Sequence, residues 1–203
     1  MSESRSANGI PLQTSLGVAA LSAMARASIK GQKPYCVWLT GLSGSGKTTL
    51  GNALELELNR RSRHTFLLDG DNVRNGLCKD LDMSAAGRKE NIRRLAEVAR
   101  LMFDAGLIVI VSAISPFRAD RDAARALFGP GEFMCVYVST PFDVCAQRDP
   151  KGLYRAALQG QIKHFTGLDS PYEAPLDAEC EIDTTSLDLP GATQTLLRHL
   201  GML

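Results

Sequence analysis

The sequence predicts an α/β domain of three layers, with helices covering both faces of a mostly parallel sheet. Three observations point there. Short apolar runs alternate with amphipathic stretches through most of residues 34–203. The run from Leu107 to Val111 is nearly all apolar, as suits a strand covered on both faces. A glycine-rich turn, Gly41 to Gly46, joins the first apolar run to the first amphipathic stretch, as when a strand feeds a helix.

The first strand is Cys36 to Thr40, and the first long helix begins near Lys47, with Leu50, Ala53, Leu54 and Leu58 at helical spacing. The second strand, Thr65 to Leu68, runs directly into Asp69-Gly70-Asp71. A long helix is expected from about Lys89 to Asp104. Its buried stripe is Ile92, Leu95, Ala96, Ala99, Met102 and Phe103, and Gly106 stops it. Leu107 to Val111 is the third strand. Arg118 to Phe128 reads as a helix closed by Gly129-Pro130-Gly131, and Phe133 to Val138 as the fourth strand. Pro141 suits the first position of the next helix. Residues 148–175 are polar and rich in Gly and Pro, with a short helix near Leu153 to Leu158; this stretch is the expected lid. Glu181 to Asp183 gives a short last strand, and Leu196, Leu197 and Leu200 a terminal helix. The loops at the carboxyl ends of the strands should build the site. Residues 1–33 form an N-terminal extension of weak pattern, in which the Ala-rich Gly17 to Ser28 reads either as a helix or as a flexible arm.

At 203 residues the chain fits one domain with an inserted lid. A hydrophobic fraction of 44% and a charged fraction of 22% place it among ordinary globular proteins. The net charge of +1 gives no broad basic face, which argues against nucleic acid as a partner. No apolar run approaches the roughly 20 residues that span a bilayer, so no membrane partner is expected. The five cysteines, at 36, 78, 135, 145 and 180, form no C-x-x-C pair. An odd count without a recognisable leader fits a reducing cytoplasm better than a disulfide framework. Cys36 and Cys135 fall in strands and are expected as small core hydrophobes.

Gly41-Leu42-Ser43-Gly44-Ser45-Gly46-Lys47-Thr48 matches the phosphate-binding pattern G-x-x-x-x-G-K-[ST]. Gly41, Gly44 and Gly46 let the backbone turn tightly, so that successive N–H groups point into one concavity at a helix start. Lys47 is expected on the β- and γ-phosphates of ATP, and Thr48 on Mg²⁺. Ser43, Ser45 and Thr49 are candidates for the same contacts or for capping the helix. The pattern in this setting predicts a P-loop nucleoside-triphosphate kinase fold.

Asp69 and Asp71 follow the second strand across one glycine. In an extended segment residues two apart share a side, so both carboxylates would face the cavity. One would orient a hydroxyl nucleophile or accept its proton, and the other would hold a water ligand of Mg²⁺. The bland alternative is a solvated Asp-Gly turn. The third strand ends Val111-Ser112-Ala113-Ile114-Ser115, without the Asp that many ATPases carry there, which makes Asp69 and Asp71 the nearest carboxylates for a metal. Arg74 and Arg88 are placed to grip phosphate or sulfate oxygens, while Arg93 and Arg94 read equally as a solvated helix face. Asn91 lies on the first turns of the long helix, within reach of a bound substrate. Arg148 and Lys151 would close over transferring phosphates from the lid. Phe165 either stacks on a base or belongs to a small lid core. His164 has no metal partners and is assigned no role.

These residues together resemble the adenylylsulfate kinase family. The resemblance rests on 41–49, on Leu-Asp-Gly-Asp-Asn-Val-Arg at 68–74, on Glu90 to Arg94 and on Ile114-Ser115-Pro116-Phe117-Arg118. It also rests on Arg148-Asp149-Pro150-Lys151-Gly152-Leu153-Tyr154 and on Phe165 to Glu173, and spans about residues 32–185. It implies transfer of the ATP γ-phosphoryl group to the 3′-hydroxyl of adenosine 5′-phosphosulfate. Asp71 would stand near that hydroxyl, with Arg74, Arg88, Asn91, Ile114 and Ser115 binding the acceptor. Lys151 and Phe165 would contact it from the lid, and Arg148 would bind the donor nucleotide. Ser115 matches the serine described in the family as a phosphoserine, although direct in-line transfer is the expected route. The resemblance also implies a homodimer and a functional or covalent association with ATP sulfurylase. Three positions depart from the family pattern. Met83 stands where Phe is frequent, Gly87 where an acidic or polar residue is, and Cys78 where Asn is. A second aromatic face for the acceptor adenine is thereby missing, and Gly87 is expected to loosen the approach of Arg88. Without the resemblance two alternatives stay open: a kinase for another small hydroxyl acceptor, and a nucleotide-binding regulatory protein.

Overall fold

Strand β1 (Tyr35–Thr40) occupies the middle of a five-stranded, wholly parallel sheet. Its neighbours are β3 (Ile108–Ser112) and β4 (Phe133–Val138), and β2 (Thr65–Asp69) and β5 (Cys180–Ile182) form the edges. The computed structural model describes residues 21–202. Register is fixed by pairs such as Val37 with Ile110 and Val37 with Met134. Alternation along β1 sends Val37 and Leu39 to one face, Cys36 and Trp38 to the other. Helix α2 (Lys47–Arg60) and helix α8 (Leu189–His199) cover the first face with Leu50, Leu54, Leu58, Leu196 and Leu197. Helix α4 (Ala85–Asp104) covers the second with Ile92, Leu95, Ala99 and Phe103, joined by α5 (Arg118–Arg125) through Ala124. These are the three layers the alternation predicts. The order β2-β3-β1-β4-β5 reverses direction beside β1, so the crevice at its carboxyl end lies where ligands bind in such sheets.

Helix α1 (Ala23–Ser28) is the described part of the Ala-rich stretch; Gly17 to Ala20 lie outside the described residues. It docks on the carboxyl end of α4. Arg26 donates to the Asp104 carbonyl at 2.8 Å and Lys30 to the Ala105 carbonyl at 3.0 Å. Cations at a helix carboxyl end satisfy orphan carbonyls and oppose the dipole. All five cysteines are buried and unpaired. Among the described residues no helix is long and apolar enough to cross a membrane.

Several boundaries differ from the expectation. Helix α4 starts at Ala85, not Lys89, because Ser84 caps it by accepting from the Gly87 N–H at 3.1 Å. Helix α5 ends at Arg125 and passes into turns before Phe128. Pro141 is the N-cap of α6 (Phe142–Arg148), not its first helical residue. Asp69-Gly70-Asp71 is not extended. Asp69 caps a short helix, α3 (Gly70–Asn75), accepting from the N–H groups of Asp71 at 3.0 Å and Asn72 at 3.4 Å. Asp71 therefore sits in a helical first turn. Helix α7 (Leu153–Leu158) lies where expected.

Gly87 is not a source of looseness. A Cβ there would lie 2.5 Å from the Asp82 carbonyl oxygen and would also strike the Asp82 carboxylate. Asp82 accepts from the Ser84 hydroxyl and backbone, so the turn is drawn tightly over the helix start. Gly→Ala inside a helix ordinarily stabilises by about 1 kcal/mol, whereas overpacking costs about 1–3 kcal/mol. A contact of 2.5 Å with a backbone oxygen puts the clash in the upper part of that range, about 2–3 kcal/mol, for a net loss of about 1–2 kcal/mol. Gly87→Ala is expected to lower the thermal midpoint by about 2–8 °C at roughly 2–4 °C per kcal/mol. A raised midpoint in a calorimetric scan would refute the tight packing of this turn.

Candidate active site

The carboxyl ends of β1, β2 and β3 open into one cleft of about 760 Å³. The loop after β1 forms its floor. Gly41, Gly44 and Gly46 have φ of 150°, 76° and 102°, conformations that L side chains rarely adopt. Gly46 is the N-cap of α2 and no side chain caps that helix end. The first N–H groups of α2 are thus left for an anion, as the motif predicts. Leu42 packs toward α6 and α7, and Ser45 is fully buried, its carbonyl accepting from Thr140 at 2.9 Å and from Thr184 at 3.2 Å. Ser43 and Thr49 line the cleft.

Lys47 folds back over the loop and donates to the Leu42 carbonyl at 2.6 Å. Burial pushes its ammonium down to about 8; Lys151 adds to this, while Cys145, Asp71 and Asp69 oppose it. Thr48 donates to Asp69 Oδ2 at 2.8 Å and lies 3.2 Å from the Ser112 hydroxyl. Asp69 is the hub here. One of its oxygens holds α3 in place and the other faces Thr48. Ser112 was not singled out by the sequence, although it ends β3 where site loops begin.

Asp71 reaches the same cleft from α3 and pairs with Lys151, which projects from the 148–175 segment. Arg148 is held differently: it donates to the Thr184 hydroxyl at 2.7 Å and the Thr184 carbonyl at 3.2 Å. Arg88 is buried and donates to the Thr166 hydroxyl at 2.7 Å and the Ser170 hydroxyl at 3.1 Å. It therefore ties α4 to the 148–175 segment as well as facing the cleft. Arg74 also faces the cleft and reaches the Asp82 carbonyl at 3.4 Å. Arg93 and Arg94 do not line it. They pair with Glu90, Glu97 and Asp80 at the surface, the solvated-face alternative.

Asn91 lines the cleft and is 4% exposed, yet its Oδ1 has no protein partner. A buried acceptor left unpaired costs about 1–3 kcal/mol, so this amide is built to receive a donor. Ile114 and Ser115 form the wall beyond β3. Ser115 has φ of 41°, a strained value for a residue with a side chain, and is 1% exposed. Its hydroxyl accepts from the Trp38 indole N–H at 3.1 Å, and its carbonyl accepts from Arg121 at 2.5 Å. Neither partner was visible in the sequence, since both are apolar-face or helix residues until the chain folds. Phe165 packs with Tyr154 and Cys145 in the small core that was one of its two alternatives, and it also lines the cleft. Met83 lines the cleft half-exposed. Leu187, Leu189 and Ala192 at the start of α8 complete an apolar wall beyond Thr184 that the sequence did not reveal.

A parallel sheet of this order, with the glycine loop at its switch point and Asp69 beside Thr48, defines the chain as a P-loop kinase. The family model described as adenylylsulphate kinase matches residues 33–183. An adenylyl-sulfate kinase of Shewanella oneidensis is 58% identical over 176 residues, covering 87% of this chain and 86% of its own length. The Mycobacterium tuberculosis APS kinase CysC, solved with AMPPNP and APS, superposes with a TM-score of 0.80 at 41% identity, over 83% of this chain and 98% of that one. A hexameric APS kinase from Thiobacillus denitrificans gives a TM-score of 0.64 at 32% identity, over 86% of this chain and 30% of that one. The chain belongs to the adenylylsulfate kinase family.

The depressed Lys47 generates a proton linkage. A polyphosphate in the cradle favours the charged ammonium and lifts its pKa from about 8. ADP binding near that pH is expected to take up a fraction of a proton, and affinity to fall as the pH rises through it. Calorimetry in buffers of different ionisation enthalpy measures the uptake, and Lys47→Met should abolish it. An ADP affinity that is flat between about pH 7 and 9 would refute the linkage.

Proposed function

We propose that this chain transfers the γ-phosphoryl group of ATP to the 3′-hydroxyl of adenosine 5′-phosphosulfate, giving 3′-phosphoadenosine 5′-phosphosulfate and ADP. One observation carries this beyond family membership. A single cleft is lined both by the cradle with Lys47 and by Arg74, Arg88, Asn91 and Phe165, together with Asp69 and Asp71. This supports one chamber that takes donor and acceptor together.

Each group has a chemical task. Cradle N–H groups and Lys47 hold the β- and γ-phosphates of ATP. Arg148, beside Thr184 at the cleft, binds the donor nucleotide, and the apolar wall of Leu187 and Leu189 suits its base. Arg74 and Arg88 offer guanidinium forks to the phosphosulfate. Asn91 Oδ1 accepts a donor from the acceptor nucleotide, and Phe165 and Met83 pack against its adenine. Asp71 accepts the proton of the 3′-hydroxyl as the new O–P bond forms and the bond to the β-phosphate oxygen breaks. Lys151 steadies that carboxylate and then turns to the phosphates. Ser115 serves the acceptor wall. Its hydroxyl is engaged by Trp38, and direct transfer needs no phosphoserine.

Oxygen donors around Thr48 fit Mg²⁺. Asp69 Oδ2 and the Ser112 hydroxyl lie 2.8 and 3.2 Å from the Thr48 hydroxyl oxygen. Among the described residues no cluster of three or more His, Cys, Asp or Glu exists that could cage a metal alone. An ion that takes one or two protein oxygens and completes its shell with water and phosphate suits such a place. When bound, Mg²⁺ supplies neutralisation of phosphate charge. A cytoplasmic homodimer, associated functionally or covalently with an ATP sulfurylase, fits the same chemistry; the hexamer of the Thiobacillus relative supports assembly. Residues 148–175 act as the lid.

The decisive experiment is an acceptor panel with ATP and Mg²⁺, following ADP release with adenosine phosphosulfate, AMP, gluconate and shikimate. Turnover is expected with the phosphosulfate. Exclusive turnover of another acceptor, or nucleotide binding without turnover, would overturn the proposal. Asp71→Asn is expected to lower kcat by about 100-fold or more while the KM for ATP stays within about threefold. Equal losses in both would remove Asp71 from the role of base.

A further inference from the structure

One side chain joins the cradle to the 148–175 segment. Tyr154, on α7, is 2% exposed and does not itself line the cleft. Its hydroxyl donates to the Ser43 carbonyl, inside the cradle, at 2.9 Å. Its ring meets Phe165 edge-on with centroids 4.8 Å apart, and Phe142 at 5.5 Å. Burial pushes the Tyr154 phenol above its ordinary range, so the hydroxyl remains a donor. The surrounding backbone leaves little slack. A Cβ on Gly44 would lie 2.9 Å from the Cys145 carbonyl oxygen, and one on Gly167 3.1 Å from Leu42 Cδ2. The loop is thus packed against α6 at Gly44 and against the 148–175 segment at Leu42 and Gly167, with Tyr154 touching the donor side through its oxygen and the acceptor side through its ring.

We propose that Tyr154 is a positioning residue that couples the two ends of the cleft, relaying the placement of Ser43 in the cradle to the Phe165 ring on the acceptor side. The proposal rests on the reading of Phe165 as the platform for the acceptor's base. A polyphosphate bound by the cradle orders the loop that carries Ser43. The hydrogen bond carries that order to the tyrosine ring, and the edge contact passes it to Phe165. Donor occupancy then tightens acceptor binding, and acceptor occupancy tightens donor binding by the same factor.

The test is a thermodynamic cycle on wild type and Tyr154→Phe. Adenosine phosphosulfate is titrated with and without a saturating non-hydrolysable ATP analogue, beside thermal melts and steady-state turnover. In wild type the analogue is expected to tighten phosphosulfate binding by about fivefold or more. Tyr154→Phe keeps the ring and loses the hydroxyl. Its coupling factor should fall to within about twofold of unity, while loss of one hydrogen bond of about 1 kcal/mol lowers the melting midpoint by only about 2–4 °C. A tyrosine that merely supports the fold would shift the midpoint and leave the coupling unchanged. Tyr154→Leu, which also removes the ring behind Phe165, should further weaken phosphosulfate binding while the analogue alone still binds. Unchanged coupling in Tyr154→Phe, or no coupling in wild type, overturns the role of Tyr154 while turnover of the phosphosulfate leaves the activity standing. A wild type that binds the analogue and never turns over the phosphosulfate overturns both.

Discussion

At Gly41 and Gly44 the backbone of the loop after β1 presses directly on the carbonyls of its neighbours. A Cβ at Gly41 would lie 2.5 Å from Val138 O, and one at Gly44 2.9 Å from Cys145 O. Val138 ends β4 and Cys145 lies in α6. The phosphate cradle is therefore shaped by what stands behind it as much as by its own glycines. Its concave side can point N–H groups at an anion because Gly41 and Gly44 bring no Cβ to the points where the neighbouring carbonyls press closest. Thr140 and Thr184 extend the same support by donating to the Ser45 carbonyl, which brings the end of β5 into the scaffold. Everything downstream, including the place of Lys47 and Thr48 at the start of α2, follows from this seating.

Asp69 shows how a single carboxylate serves the fold and the chemistry together. As a cap it satisfies orphan N–H groups of α3, a contribution of about 1 kcal/mol. Its other oxygen lies against Thr48 at 2.8 Å. The cap turns the chain so that Asp71 enters the cleft from a helical first turn. The consequence for function matches the sequence expectation, with both carboxylates lining the cleft, but the geometric reason differs. The pair is not two side chains on one side of a strand. It is a strand end and a helix start.

That difference marks what a sequence discloses. Phe133 to Val138 and Leu153 to Leu158 were legible because local pattern decides them: a run of strand formers in one case, and apolar spacing after glycine in the other. The cradle was legible because its glycines are needed for backbone reasons alone. The start of α4 was missed although Ser84 is a good cap, because helical periodicity shows clearly only after Lys89. The meaning of Gly87 was not legible at all. It depends on Asp82 folding back over the helix, a contact that nothing in composition requires. Trp38 and Tyr154 were equally hidden. In the sequence they are aromatic residues at core spacing. Only the fold brings the indole N–H to Ser115 and the phenol to Ser43.

The charged groups of the cleft are held by partners they can leave at small cost. Lys151 and Asp71 are both about half-exposed, and such pairs contribute about 0–1 kcal/mol. Arg148 is also exposed, with a threonine rather than a carboxylate as its partner. Exchange of these contacts for phosphate oxygens gains charge-assisted hydrogen bonds of about 1.5–3 kcal/mol each, so the exchange runs toward the ligand. Arg88 behaves differently. It is buried against Thr166 and Ser170, both neutral, and removing its charge from water is compensated only in part. An anion bound in the cleft beside Arg88 would complete that compensation. The exposed cations thus have partners that a phosphate can replace, and the buried one has partners that leave its charge unmatched.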